Sequence, residues 1–163
     1  MIDDLDETDI EILKILSKDS TTSMKNIADQ VKKHPTTITN HVNELKEKGI
    51  IKNSTITIDY EKLGYDIIAI IELTISKGKM LEVELDIAKI PNVFAVYDIT
   101  GQYDALVLTR CKDRRGLSEL VKTINSYEYV IRTNTHLILN MIKETADFEE
   151  LIEKNPKNDN GSV

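Results

Sequence analysis

Pro35 divides the stretch that most constrains this fold, residues 23–52, SMKNIADQVKKHPTTITNHVNELKEKGIIK. Proline disfavours helix at the residue before it. It suits the opening turn of the helix that follows, where its missing N–H costs nothing. Upstream, Ser23 is a good N-cap, and Ile27, Ala28 and Val31 share one apolar face. Downstream, Ile38, Val42 and Leu45 recur at i, i+4 and i+7 as a single stripe. Gly49 stops that helix, and Ile50-Ile51 return to the core. The stretch therefore reads as two short helices with a tight break.

The second of these helices has an unusual exterior. An amphipathic helix normally shows Glu and Lys to water, yet this one presents Thr36, Thr37, Thr39, Asn40 and Asn43 along its outward N-terminal half. Lys32, Lys33, Lys46, Lys48 and Lys52 flank them. Hydroxyls and amides meet base edges while ammoniums meet phosphates, so the division fits a recognition helix for double-stranded DNA. Lys33 and Lys46 are the expected phosphate contacts. A polar helix on a small domain shows the same pattern in isolation; the neighbouring segments decide.

Upstream, residues 5–16 read as a helix, with Asp6 as N-cap and Asp6, Glu7 and Asp9 where the helix dipole favours negative charge. Ile12, Ile15 and Leu16 form its inward face. Capping explains the acids Asp3, Asp4, Asp6, Glu7 and Asp9 more simply than a metal does. Three helices are the smallest number that closes a core around a helix-turn-helix, which predicts a first domain over residues 1–53. Thr55–Ile58 alternates as a short strand, and a turn follows, so residues 54–64 form a linker strand and turn.

Beyond the linker the period changes. Strands are predicted over 67–75, 93–100, 103–111 and 129–142, and helices over 80–88 and from Asp113. The stripe Leu81, Leu85, Ala88 marks the first helix, and Leu117, Leu120, Val121, Ile124 the second. Gly101-Gln102 reads as a tight turn between the middle strands. The order β-α-β-β-α-β is a ferredoxin-like sheet over residues 65–143, and the fold class is α+β. Two helices cover one face only, whereas Ile67–Ile71 and Ala105–Leu108 are unbroken apolar runs, the mark of strands buried on both faces. A second copy of the sheet would cover the other face, so the chain is expected to be a homodimer.

Composition narrows the function classes. No apolar run approaches the ~20 residues of a membrane span. The acidic start MIDDLDETDI is not a secretory signal, and the single Cys111 excludes an intramolecular disulfide and suits a reducing, cytoplasmic setting. The net charge of −7 hides an uneven distribution. Residues 31–52 carry five lysines against two glutamates, while residues 144–163 carry six acids against two lysines and read as an acidic, partly disordered tail. A local basic patch on an acidic protein still binds DNA.

LDETDI near the start, Ile27-Ala28, ELKEKGIIK after the third helix, KLGYD at the boundary and GQYD at the hairpin occur in order over about residues 3–143. Together they resemble the Lrp/AsnC, or feast/famine, transcription regulators. The resemblance implies a winged-type helix-turn-helix, a dimerising ferredoxin-like domain, assembly to tetramers or octamers, and an amino-acid effector near the GxxD hairpin. Carried onto this chain, that hairpin is Gly101-Gln102-Tyr103-Asp104. Gly101 leaves backbone N–H groups open to a carboxylate, Asp104 accepts an ammonium, and Tyr97 and Thr100 line the side-chain end. The chain departs from the pattern in having His34-Pro35 before the recognition helix, His41 at a commonly basic groove position, and Gln102 in place of a frequent Asp.

The alternative is an amino-acid-sensing module acting through protein contacts alone. The Thr/Asn cluster and its lysines weigh against it. An enzyme is disfavoured: there is no Gly-rich phosphate loop and no metal-ligand spacing among His34, His41 and His136, so neither cofactor nor catalytic residue is expected.

Overall fold

The computed structural model describes residues 5–144 and divides the chain between Thr57 and Ile58 into two compact units. The acidic tail beyond residue 144, and Asp3 and Asp4, lie outside the described residues.

The first unit is three helices, α1 (Glu7–Lys18), α2 (Met24–Val31) and α3 (Pro35–Glu47). Each starts where a side chain takes an orphan N–H. Asp6 accepts from the Asp9 amide, and Asp9 accepts in return from the Asp6 amide, a full capping box. Ser23 caps α2 through the Asn26 amide. Between α2 and α3 the chain turns on Lys32, in the left-handed region at φ 54°, which lets the Lys33 amide donate to the Ala28 carbonyl. His34 then stands at the N-cap of α3 and Pro35 at its first position. Ile12, Leu13, Ile27, Ala28, Ile38, Val42 and Leu45 form the core.

One expectation fails after this unit. Thr55–Ile58 is not a strand, and Ile56 is 71% exposed. Alternation is necessary for a half-buried strand but insufficient: no described strand pairs with this segment, and an unpaired strand does not hold.

In the second unit, β1 (Ile67–Ile75), β2 (Val93–Asp98), β3 (Ala105–Cys111) and β4 (Val130–Leu137) form an antiparallel sheet in the order β2-β3-β1-β4. Helices α4 (Met80–Ile87) and α5 (Arg114–Asn125) pack on one side of it. This is the ferredoxin-like arrangement. Ile71, Leu73, Ile75, Ala105, Val107 and Cys111 meet Val83, Ile87, Leu120 and Ile124 in the core.

Three details correct the sequence reading. Helix α4 is turned: Leu81 and Leu85 are 68% and 56% exposed, and Val83, Glu84 and Ile87 face inward. The chosen stripe was helical in spacing, but so is the one through Val83 and Ile87. The β2–β3 connection is a six-residue loop, Ile99–Asp104, not a two-residue turn; Asp98 pairs with Ala105, and the Ile99 amide donates to the Asp104 carbonyl at 2.9 Å. Finally, β4 ends at Leu137, after which the Ile138 amide still reaches β1, at the Ile68 carbonyl.

The side of the sheet away from the helices carries Ile68, Ile70, Leu106, Leu108 and Tyr97. It is less uniformly apolar than the sequence suggested. Asn134 and His136 on β4 both contact the Glu72 carboxylate, at 2.8 and 2.9 Å, and this hydrogen bonding, His136 first, lowers the Glu72 pKa.

Candidate functional site

Ile38, Val42 and Leu45 fix the roll of α3 by burying one face. The opposite face is therefore determined. Thr36, Thr39, Asn40, Asn43 and Lys46 are exposed, and Thr37 is half-buried at the margin. The amides of Asn40 and Asn43 and the ammonium of Lys46 make no hydrogen bond or ion pair to any other described residue. Two hydroxyls are engaged locally. Thr39 donates to the Pro35 carbonyl at 3.0 Å and keeps its acceptor lone pairs, and Thr36 contacts the His34 ring at 3.1 Å. Lys33 stands exposed in the turn beside the start of the helix.

His41 is not brought to this face. Its Nδ1 lies 2.7 Å from Asp9 Oδ1, half-buried between α1 and α3. Position 41 lies one helical step from Val42 and at the edge of the buried stripe, so a carboxylate on α1 captures it. Asp6, Asp9 and His41 offer ligand atoms within 4.8 Å of one another. The capping box and the His41 contact already occupy both oxygens of Asp9 and one of Asp6, so helix structure accounts for the cluster.

The other expected site is the loop of the β2–β3 hairpin. Gly101 has φ +128°, a conformation that L side chains rarely adopt, while the space around it is open. Glycine is thus demanded here by the backbone. The amides of Thr100, Gly101, Gln102 and Tyr103 donate to no other described residue. They form a run of free donors suited to a carboxylate. Tyr103 is half-buried, with the Arg132 guanidinium 5.3 Å from its ring centre. Asp104 is pinned on both sides: its Oδ2 accepts from the Ile75 amide and its own amide donates to the Leu73 carbonyl, each at 2.8 Å. Tyr97 does not join the loop. It pairs with Leu106 and so points to the open side of the sheet, whereas its neighbour Asp98, paired with Ala105, points to the helix side.

Two residues near the loop were missed in the sequence. Glu84, on the inward face of α4, is 9% exposed, and burial first, then the charges of Asp98 and Asp104, raises its pKa. Arg132 comes from β4. Neither is close to the hairpin along the chain, so only the folded sheet brings them to it.

Comparison with known proteins matches both halves. Residues 5–52 match the winged helix-turn-helix DNA-binding family, and residues 68–148 the Lrp/AsnC ligand binding domain. An uncharacterised helix-turn-helix transcriptional regulator of Pyrococcus abyssi is 40% identical over 89% of this chain and 99% of its own length. LysM of Saccharolobus solfataricus is 36% identical over 83% of this chain and 94% of its own. Among solved structures, AsnC of Escherichia coli superposes with a TM-score of 0.81 at 25% identity, covering 86% of this chain and 95% of that one. A regulator of Neisseria meningitidis in complex with L-Met gives 0.83 at 24% identity, covering 90% and 99%. The matches run in the same order as the two units and span nearly all the described residues, so the chain belongs to the Lrp/AsnC family of DNA-binding transcription regulators.

Proposed function

We propose that the regulator reads duplex DNA with the outward face of α3, dimerises through the open side of its sheet, and responds to an amino acid held at the 99–104 loop. One observation carries the DNA reading: a helix whose exposed face offers unengaged amides rather than the usual charges, bordered by lysines. Asn40 and Asn43, with Thr36 and the Thr39 lone pairs, face base edges; Lys33 and Lys46 face phosphates. A two-fold dimer presents two such helices to successive major grooves. The operator is then pseudo-palindromic, with half-sites about one turn, ~10 bp, or a multiple apart.

The effector reading draws on the free amides at Thr100–Tyr103, the cation of Arg132 over the Tyr103 ring, and the Asp104 carboxylate. The Neisseria meningitidis regulator with the same fold was solved with L-Met, so amino acids are the first compounds to try. Larger assemblies, tetramers or octamers, fit the exposed Leu81 and Leu85 on α4.

Binding to a randomised duplex library tests the roles on α3. Asn40→Ala is expected to change which sequences are preferred, at about 1–3 kcal/mol for one base position. Lys46→Ala is expected to weaken all sequences alike and to flatten the salt dependence by about one unit of slope. If both variants merely scale affinity across the library, the assignment of roles is wrong.

A further inference from the structure

The loop reading leaves open which group receives the effector's ammonium. Asp104 is the obvious choice from the sequence, yet the fold already engages part of it, leaving Oδ1 as its open carboxylate oxygen. One carboxylate oxygen takes the Ile75 amide, its backbone N–H reaches Leu73, and its carbonyl takes Ile99. These three bonds fasten the hairpin loop to the end of β1. That is the work of a residue that shapes a site.

Glu84 is in the opposite condition. Its Oε1 is cut off from solvent and has no hydrogen-bond partner among the described residues. A buried carboxylate oxygen without a donor is costly, and such groups in native proteins call for an explanation. Two further carboxylates share its surroundings. Asp98 points to the helix side of the sheet beside the small Ala105, and Asp104 closes the loop next to it. No positive group among the described residues pairs with Glu84 there.

The missing partner is therefore a hydrogen-bond donor, and beside three carboxyl groups a cationic N–H donor suits best. A metal ion fits poorly: among the described residues, ligand atoms converge only at Asp6, Asp9 and His41, not at Glu84, Asp98 and Asp104. An ammonium tolerates wider spacing, since it makes separate hydrogen bonds to each oxygen. At the same loop stand the free amides of residues 100–103, suited to a carboxylate, while Arg132, paired with Thr74, lies on the open side of the sheet against the Tyr103 ring.

We propose that Glu84 is the ammonium acceptor of the loop site and sets its preference for ligands that carry a primary amine, with Asp104 as a positioning residue. This rests on the effector reading above. Glu84 lies in the second turn of α4, far from the GxxD residues in sequence, which is why a motif reading passes over it.

Full-length protein is titrated with each proteinogenic L-amino acid, and any that binds is compared with its des-amino carboxylic acid, by thermal shift and calorimetry. The expected result is that an amino acid binds, its des-amino counterpart does not, and Glu84→Gln weakens binding about tenfold or more while DNA binding persists. Should Glu84→Gln fail to fold, Glu84→Met, which removes both oxygens at similar length, carries the same comparison. Equal affinity in wild type and variant, or equal binding of the des-amino acid, overturns the role of Glu84 and leaves the loop as a binding site. No response of the wild type to any amino acid overturns the loop reading and this inference with it.

Discussion

The two units of the chain solve the problem of burial differently. In the helical unit every large apolar side chain from Ile12 to Leu45 has a place in or against one core, and what remains outside is polar. In the sheet unit the helices cover one side only. All the exposed large apolar residues among those described lie at Ile56 or beyond, including Leu81, Leu85, Phe94, Tyr97 and Ile131. A unit that closes its own core can be presented to a ligand as a rigid piece, here to DNA. A unit that leaves apolar surface open requires further protein, and patches of this kind mark interaction sites. The proposed DNA-reading face and the proposed dimer face thus lie in different units.

The largest effect that could break this contrast is on assembly. Leu106 and Leu108 are two residues apart on β3 and therefore share the open side of the sheet, so either reports on it. Leu108→Glu places a charge in the expected interface twice, once from each copy. Dissociation is expected to become easier by roughly a hundredfold or more, since a buried unpaired charge costs about 3–5 kcal/mol. Sedimentation should show a folded species at half the wild-type mass. A Leu108→Glu protein that sediments like wild type would mean that the dimer forms through another surface. The matching change in the helical unit should leave mass alone and act on folding. Ile38→Ala opens a fully buried site in the seven-residue core and should cost about 2–5 kcal/mol, read as a loss of denaturant midpoint in the DNA-binding unit.

The same contrast explains what the sequence could and could not reveal. The stripe Ile38, Val42, Leu45 was legible because α3 has a single apolar face, and Ser23 and Asp6 were legible as caps because capping is local. Helix α4 was misread because it has two candidate stripes, and the sheet, not the spacing, chose Val83 and Ile87. Thr55–Ile58 was misread because a strand depends on a partner that periodicity does not report. His41 looked like a groove residue until a carboxylate 32 positions away claimed it. At the hairpin, Gly101 and Asp104 are legible from the motif. The bond from the Ile75 amide to Asp104 and the burial of Glu84 on α4 are not, because each depends on elements distant along the chain.

The smallest predicted effects concern pH, and they differ in sign between the units. Hydrogen bonding from the Asp9 amide, helped by the charges of His41 and Lys33, lowers the Asp6 pKa below its ordinary 3.8. The folded state thus favours the ionised form. That stabilisation is fully present above pH 3.8 and is lost as the pH falls through the folded value. Asp6→Asn keeps the oxygen that accepts from Asp9 but removes the charge. Its deficit against wild type, no more than about 1 kcal/mol for so exposed a group, should shrink in acid. Burial, with Asp98 and Asp104, raises the Glu84 pKa above its ordinary 4.5, so there the folded state favours the neutral form. Its contribution is complete below pH 4.5 and is lost as the pH rises through the folded value. Without ligand, the wild type should therefore lose stability relative to Glu84→Gln as the pH increases, the reverse of the Asp6 pair. Melting temperatures of the three proteins, followed from about pH 3 to about pH 7, read both differences in one series. A Glu84→Gln difference that stays flat across this range would mean that the carboxylate already has a partner in the unliganded protein, and the two units would then be alike in having no unmet charge.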